Sequence, residues 1–218
     1  MKKFITVAGN IGVGKSTLVK LLCKKLDWKP FYEPVAENPY LSDFYGDMAS
    51  WSFHSQIFFL IHRLRNHHDL EQTLDSTIQD RSIYEDAEIF AHNLFLQGFF
   101  QPRDYETYQA LYQTLCHALR PPDLVIYLRA SVQTLSERIT RRSRSYEQTI
   151  SRQYLEDLNH LYERWINRFS LAPKLVVPAD ELDYVAHPQH LDLVVQKVQE
   201  KLTGKDEVSF YSDEIEKF

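Results

Sequence analysis

A glycine-rich stretch with the sequence GNIGVGKST, residues 9–17, follows a short apolar run near the start of the chain. Residues 4–9 before it are rich in residues that favour strands, and residues 16–26 after it have apolar side chains at helical spacing. In the order strand, glycine-rich loop and helix, backbone N–H groups and a helix start can together bind phosphate. This stretch therefore predicts an α/β fold with an anion site at the end of its first strand.

The loop matches the pattern G-x-x-x-x-G-K-[ST]. In that pattern glycines let backbone N–H groups approach phosphate oxygens, the lysine adds a positive charge, and the final hydroxyl reaches Mg²⁺. The pattern predicts a nucleoside triphosphate and Mg²⁺ as ligands. The predicted ATP-binding residues of the loop are Gly9, Asn10, Ile11, Gly12, Val13, Gly14, Lys15, Ser16 and Thr17.

The rest of the chain alternates between strand patterns and helix patterns, which is typical of a parallel sheet with helices on both faces. We expect one domain at residues 1–204 and an acidic tail at residues 205–218. The predicted strands are residues 4–9, 30–35, 76–80, 123–130 and 174–180. The predicted helices are residues 16–26, 40–74 as two helices with a break near Gly46 and a second start near Trp51, 84–97, 104–119, 131–142, 150–169 and 187–202.

The charge balance argues against some classes of partner. The chain has 25 Lys and Arg against 30 Asp and Glu, a net charge of -5. Such a surface has no general attraction for nucleic acid or anionic membranes, so we expect neither as a partner. No apolar run approaches the roughly 18 residues of a membrane helix, and Cys23 and Cys116 fall within helix patterns rather than a disulfide framework. We expect a soluble, cytoplasmic protein with a small charged substrate.

Charged residues follow two of the predicted strands. Glu33 lies at the end of the second strand, and Asp80 and Arg81 lie at the end of the third. Ligands of parallel sheets collect at the carboxyl ends of the strands. A kinase that acts on a hydroxyl needs a base near the acceptor oxygen and positive charge near the transferred group. We therefore interpret Glu33 as the catalytic base, Asp80 with Ser16 as the Mg²⁺ partners, and Arg81 as a catalytic clamp.

Each of these residues also has a simpler interpretation. Taken alone, a residue such as Glu33 is more often a solvated loop carboxylate, and Asp80 with Arg81 is compatible with a local ion pair. Their joint position at strand ends, near a phosphate loop that contains Lys15, favours the catalytic interpretation.

An arginine-rich segment spans the junction of the predicted helices 131–142 and 150–169. Its arginines are Arg138, Arg141, Arg142, Arg144 and Arg152. They are compatible with a solvated charged surface, but a segment between two helices can also close over a triphosphate and supply charge. We favour such a lid, and assign Arg138, Arg142 and Arg144 to ATP binding.

Together these motifs resemble those of the deoxyribonucleoside kinase family, specifically the bacterial deoxyadenosine and deoxyguanosine kinases related to deoxycytidine kinase. The stretches GNIGVGKST, EPV, DRSIYEDAEIF and QYLEDL occur in the family's order, over roughly residues 4–180. The resemblance implies a P-loop kinase fold with a five-stranded parallel sheet and a homodimer. It also implies transfer of the γ-phosphoryl group of ATP to the 5′-hydroxyl of a purine deoxynucleoside in nucleotide salvage, with deoxycytidine as a further candidate substrate.

The resemblance also implies roles for single residues. Glu33 would take the proton of the 5′-hydroxyl, with Arg81 beside it. Tyr45 and Glu147 would hold the 3′-hydroxyl. The implied base site consists of Gln56 at the base edge, Phe90 stacked on the base, and the pair Arg63 and Asp86.

Two other functions share parts of this pattern. A nucleoside monophosphate kinase of the thymidylate kinase type has the same loop, sheet and arginine lid, but it must bind an acceptor phosphate, which Glu33 would repel. A non-catalytic subunit with the kinase fold has no need to keep the charged and hydroxyl residues of a kinase site. This chain has all of Lys15, Ser16, Glu33, Asp80 and Arg81.

Overall fold

The structure is a computed structural model that describes residues 2–32, 37–144, 150–206 and 208–215. Its described strands form one parallel sheet of five strands in the order β2-β3-β1-β4-β5. The predicted α/β fold is therefore confirmed. The strands are β1 (Phe4–Gly9), β2 (Lys29–Phe31), β3 (Thr77–Asp80), β4 (Leu124–Arg129) and β5 (Lys174–Pro178).

Helices cover both faces of this sheet. They are α1 (Lys15–Leu26), α2 (Leu41–Gly46), α3 (Met48–Gln72), α4 (Ile83–Glu85), a π-helical segment (Asp86–Ala91), α5 (His92–Leu96), α6 (Pro102–Ala118), α7 (Val132–Arg142), α8 (Arg152–Arg168), α9 (Pro188–Leu202) and α10 (Ser212–Ile215).

Successive side chains of the central strands pack into two cores, one on each face of the sheet. Because both faces are buried, these strands are continuous apolar runs in the sequence. In β4, Leu124 and Ile126 pack with α1, α7 and α9, whereas Val125 and Tyr127 pack with α3, α6 and α8 on the opposite face. The loop at the end of β1 therefore lies between two packed layers of helices.

Two helices differ most from the prediction. The long α3 begins at Met48, because the Asp47 side chain accepts the backbone N–H of Ser50 and caps the helix there. The predicted helix 84–97 is interrupted by π-helical residues Asp86–Ala91, where the N–H of His92 bonds the carbonyl of Ala87. Apolar periodicity does not reveal one extra residue in a turn, and such turns are frequent at functional sites.

Part of the predicted acidic tail packs on the domain. Ile215 of α10 is buried in the core beside α9, and Glu214 accepts from the Lys197 ammonium at 2.8 Å. Within the described ranges, no helix is both long enough and apolar enough to span a membrane.

Candidate active site

The glycine-rich loop connects β1 to α1 and lies against α7. Gly12 has a φ of +83°, and a Cβ atom at this position would lie 2.7 Å from Ile139 Cγ1 and 2.9 Å from the Leu135 carbonyl oxygen. Both neighbours belong to α7. Gly12 is therefore required by backbone conformation and by close packing, although the sequence pattern leaves this position open.

Two side chains of the loop, those of Lys15 and Asn10, donate hydrogen bonds to backbone carbonyl groups. The Lys15 ammonium donates to the carbonyl oxygens of Gly9 at 2.9 Å and Asn10 at 3.0 Å. The Asn10 amide donates to the Leu155 carbonyl at 3.0 Å and to Asn159 Oδ1 at 2.7 Å. Since Leu155 and Asn159 lie on α8, Asn10 attaches the loop to that helix.

Ser16 and Asp80 meet where β1 and β3 end side by side. Ser16 Oγ donates to Asp80 Oδ2 at 2.5 Å. Asp80 is only 2% exposed, and its Oδ1 has no hydrogen-bond partner among the described residues. A buried carboxylate oxygen without a partner is costly, so it marks a place for a ligand. Hydroxyl and carboxylate oxygens are donors that Mg²⁺ prefers, and this pair fits that ion.

Arg81 follows directly after Asp80 in a strained backbone conformation. Its φ is +66°, and its N–H bonds the Val7 carbonyl at 3.0 Å. The side chain is buried, with Nη1 donating to the Tyr162 hydroxyl at 3.0 Å and the guanidinium 4.1 Å from the centre of the Phe90 ring. Positive φ in a non-glycine residue persists only where its surroundings enforce it, and it is frequent at functional sites.

One cavity of about 510 Å³ extends from the loop to α3. A volume of this size is typical of small-molecule sites. The predicted site residues along its wall are Ile11, Gly12, Gly14, Lys15, Ser16, Thr17, Tyr45, Gln56, Asp80, Arg81, Asp86, Phe90, Arg142 and Arg144.

The end of the cavity away from the loop is polar and buried. Gln56 on α3 is 4% exposed, and its Oε1 has no partner among the residues that the structure describes. Asp86 accepts from Arg63 Nε at 2.7 Å, and Arg63 Nη1 donates to the Asp80 carbonyl at 2.8 Å. Arg63 is 1% exposed and holds Asp86 from behind, so Gln56 and Asp86 face the cavity while Arg63 lies outside its wall.

Most of the chain matches one known protein family. Residues 5–203 match the profile of a family described as deoxynucleoside kinase. The chain belongs to the deoxynucleoside kinase family. It is 38% identical over 198 residues to deoxyadenosine/deoxycytidine kinase of Bacillus subtilis (strain 168), covering 89% of this chain and 90% of the relative. It is 34% identical to a deoxyguanosine kinase of the same organism, with 90% of this chain and 96% of the relative covered.

A solved structure supports the same assignment. Deoxyadenosine kinase from M. mycoides with bound dATP is 34% identical, has a TM-score of 0.79, and covers 90% of this chain and 99% of its own. The P-loop kinase fold predicted from the sequence is thereby confirmed.

In this deoxynucleoside kinase the predicted lid arginines have different surroundings. Arg142 and Arg144 are exposed and line the cavity. Arg138 instead donates to the Val13 carbonyl and to the Ala179 carbonyl, both at 2.8 Å, and is not part of the cavity wall. Arg138 therefore supports the loop from outside the cavity in this structure.

Two of the predicted site residues, Glu33 and Glu147, lie outside the described residues. Tyr32, which directly precedes Glu33, lines the cavity. Arg144, three residues before Glu147 in the sequence, also lines the cavity.

Three buried residues near the site were missed by sequence reasoning. Tyr154 of α8 lines the cavity, whereas Glu85 and Tyr162 lie beneath the loop and bond each other and Gly9. The stretch SIYE, residues 82–85, has the capping-box signature and could have drawn attention to Glu85. No local pattern distinguishes Tyr162 from the core aromatics of α8.

Proposed function

We propose that this chain transfers the γ-phosphoryl group of ATP to the 5′-hydroxyl of a purine deoxynucleoside, deoxyadenosine or deoxyguanosine, with deoxycytidine as a further acceptor. The observation that supports this most strongly is the continuous cavity of about 510 Å³ that joins the phosphate loop to Gln56 on α3. Relatives named for phosphorylating deoxyadenosine, deoxycytidine and deoxyguanosine agree with it.

We assign the glycine-rich loop to the end of the cavity that binds the phosphate donor, ATP. Backbone N–H groups of residues 9–17 and the dipole of α1 favour an anion at this position. Lys15 lines the cavity and adds positive charge, and the exposed Arg142 and Arg144 line it from the side of the lid. We assign the triphosphate of ATP to these groups.

Ser16 and Asp80 would hold Mg²⁺ with the triphosphate. When bound, the ion would neutralise charge on the phosphate oxygens. The protein contributes a serine hydroxyl and a buried carboxylate already aligned by their 2.5 Å contact.

The part of the cavity that binds the acceptor hydroxyl needs a base and a cation. We assign the base to Glu33, whose carboxylate would take the proton of the 5′-hydroxyl as its oxygen attacks the γ-phosphorus and ADP leaves. We assign to Arg81 the stabilisation of charge on the transferred group, because this residue lines the cavity beside Asp80. Its contact with the Phe90 ring fixes its direction.

Base selection is assigned to the polar end of the cavity. An unpartnered, buried amide oxygen rejects a ligand that offers it no N–H group. Gln56 Oε1 is a buried oxygen without a partner among the described residues, and Asp86, which lines the same cavity as Gln56, is held by Arg63. We assign stacking on the base to Phe90, and the 3′-hydroxyl to Tyr45 with Glu147.

The substrate panel is the direct test. Purified protein with ATP and Mg²⁺ is expected to phosphorylate deoxyadenosine or deoxyguanosine, with deoxycytidine slower or equal, and to leave deoxyadenosine monophosphate unchanged. Phosphorylation of the monophosphate alone would instead indicate a monophosphate kinase. Inactivity on every nucleoside would indicate a non-catalytic member of the family.

A double substitution tests the base site. Arg63→Met with Asp86→Leu is expected to shift the ratio of kcat/KM from purine towards pyrimidine deoxynucleosides by about 10- to 100-fold, the range for a lost charged hydrogen bond. Both residues are changed because removal of one leaves the other as an unpaired buried charge.

The matched control for this pair is an exposed one. Lys25 and Asp192 pair at 2.7 Å with side chains 51% and 58% exposed. Lys25→Met with Asp192→Leu is expected to leave the substrate ratio unchanged. If the two double variants have the same substrate profile, Arg63 and Asp86 have only a structural role.

We also propose a cytoplasmic homodimer. The buried face of α3 includes the polar residues Gln56 and Arg63 of the site, while Ile61 on the same helix is 43% exposed. On the neighbouring α6, Leu111 is 40% exposed. These exposed apolar residues favour an interface along α3 and α6, which sedimentation equilibrium of the purified protein would test.

A further inference from the structure

Glu85 is a fully buried carboxyl group beneath the phosphate loop. Its Oε2 accepts from the backbone N–H of Ser82 at 2.9 Å and from the Ser82 hydroxyl at 3.3 Å. Its Oε1 accepts from the Gly9 N–H at 3.1 Å and from the Tyr162 hydroxyl at 2.9 Å. One oxygen therefore caps the start of α4, and the other contacts the loop.

Tyr162 connects this carboxyl group to Arg81. The hydroxyl of this buried tyrosine accepts from Arg81 Nη1 at 3.0 Å and lies 2.8 Å from the Gly9 carbonyl oxygen. The Gly9 carbonyl also accepts from Lys15. The Gly9 N–H is thus held by Glu85 and the Gly9 carbonyl by Lys15, while Tyr162 joins Glu85 to Arg81.

The capping function does not account for this arrangement. A capping box needs one carboxyl oxygen, which Oε2 supplies. An acidic group below an anion site opposes the binding of phosphate unless cations balance it. Burial raises the pKa of Glu85, and the neighbouring Arg81 and Lys15 oppose that rise. Glu85 is thus influenced by both cations assigned to the reaction, and it is connected to Arg81 through the Tyr162 hydroxyl.

We propose that Glu85 and Tyr162 are positioning residues that fix Arg81 relative to the first glycine of the phosphate loop. Neither residue belongs to the cavity wall, so both act through Gly9 and Arg81. The donor phosphates are assigned to the loop and the transferred group to Arg81. Glu85 and Tyr162 would therefore keep a constant distance between these two binding sites. This inference rests on the proposed phosphoryl transfer.

The test compares two single variants, each of which lacks the hydroxyl of one of two stacked tyrosines. The rings of Tyr127 and Tyr162 are 5.7 Å apart at 15°, but the Tyr127 hydroxyl donates to Glu163 Oε1, away from the loop. Tyr162→Phe is expected to lower kcat about tenfold at saturating substrates while KM for the nucleoside changes less than about threefold. Tyr127→Phe is expected to keep kcat within about twofold of the wild type.

A double-mutant cycle tests whether the two residues act together. Glu85→Gln keeps an oxygen for Ser82 but places an amide N–H group where the loop offers its own donors, and it should also lower kcat. If both residues act through one network, the double variant should retain at least about a third of the kcat of the slower single variant. Independent effects would multiply, and would contradict the proposal.

The remaining outcomes are also decisive. If Tyr162→Phe keeps wild-type kcat and only lowers the thermal unfolding midpoint, its hydroxyl has a structural role and the proposal is wrong. If Glu85→Gln does not fold, the comparison of Tyr162→Phe with Tyr127→Phe decides the question. Failure of the proposed function would appear differently, as a wild-type protein inactive on every nucleoside.

Discussion

Replacing Glu33 with glutamine is expected to lower kcat by about 10²- to 10⁴-fold, the contribution of a general base to proton transfer. Glutamine keeps the size and hydrogen-bonding reach of the side chain but cannot accept the proton of the 5′-hydroxyl. The KM for the nucleoside should change little, because the base edge and the sugar are assigned to other residues. Steady-state kinetics with deoxyadenosine and deoxyguanosine measure both constants, and calorimetric titration with the nucleoside measures binding separately.

A nearby glutamate provides the matched control. Glu37 lies four residues later and is exposed. Glu37→Gln makes the same chemical change, and we expect kcat within about twofold of the wild type. Near-normal turnover in Glu33→Gln would show that another group accepts the proton.

The second large effect is expected from Gly12→Ala. The new methyl group would lie 2.9 Å from the Leu135 carbonyl oxygen and 2.7 Å from Ile139 Cγ1, and the backbone would be held at a φ of +83°. The Leu135 contact is with helix backbone, which cannot turn away as a flexible side chain can. The loop must therefore shift, and a displacement of about 1 Å at a reacting group can cost about 10²-fold in rate. We expect a loss of this size in kcat/KM for ATP, together with a lower free energy of unfolding.

Two other glycines separate the causes of this effect. Gly98 has a φ of +76°, but a Cβ atom added there would meet no neighbouring atom within 4 Å. Gly98→Ala therefore imposes only the backbone cost of the left-handed conformation, about 1–2 kcal/mol. Gly46 has open space around it and an ordinary φ, so Gly46→Ala should be nearly neutral. If Gly12→Ala loses no more activity than Gly98→Ala, the close packing on α7 is not what shapes the loop.

Local patterns were sufficient to predict the architecture. The strand before GNIGVGKST and the helix after it are found within one residue of their predicted bounds. Asp80 and Arg81 follow a parallel strand, and parallel strands end at one edge of a sheet, so their place beside Ser16 followed from topology.

Contacts between distant residues were harder to predict. The resemblance implied that Gln56 and Arg63 both belong to the base site, yet only Gln56 reaches the cavity wall, because Arg63 bonds Asp86 and the Asp80 carbonyl. Phe90 was expected on the base, and in this structure its ring also contacts the Arg81 guanidinium. Such contacts depend on the rotation of a helix, and around Asp86–Ala91 the π-helical turn changes that rotation.

The loop is attached to both helices that flank the arginine-rich connection. Arg138 of α7 donates to the Val13 carbonyl, and Asn10 is bound to Leu155 and Asn159 of α8. These attachments lie outside the stretch between α7 and α8 itself. We therefore expect that exchange of this stretch between relatives would change the handling of the donor nucleotide while the attachments of the loop stay intact.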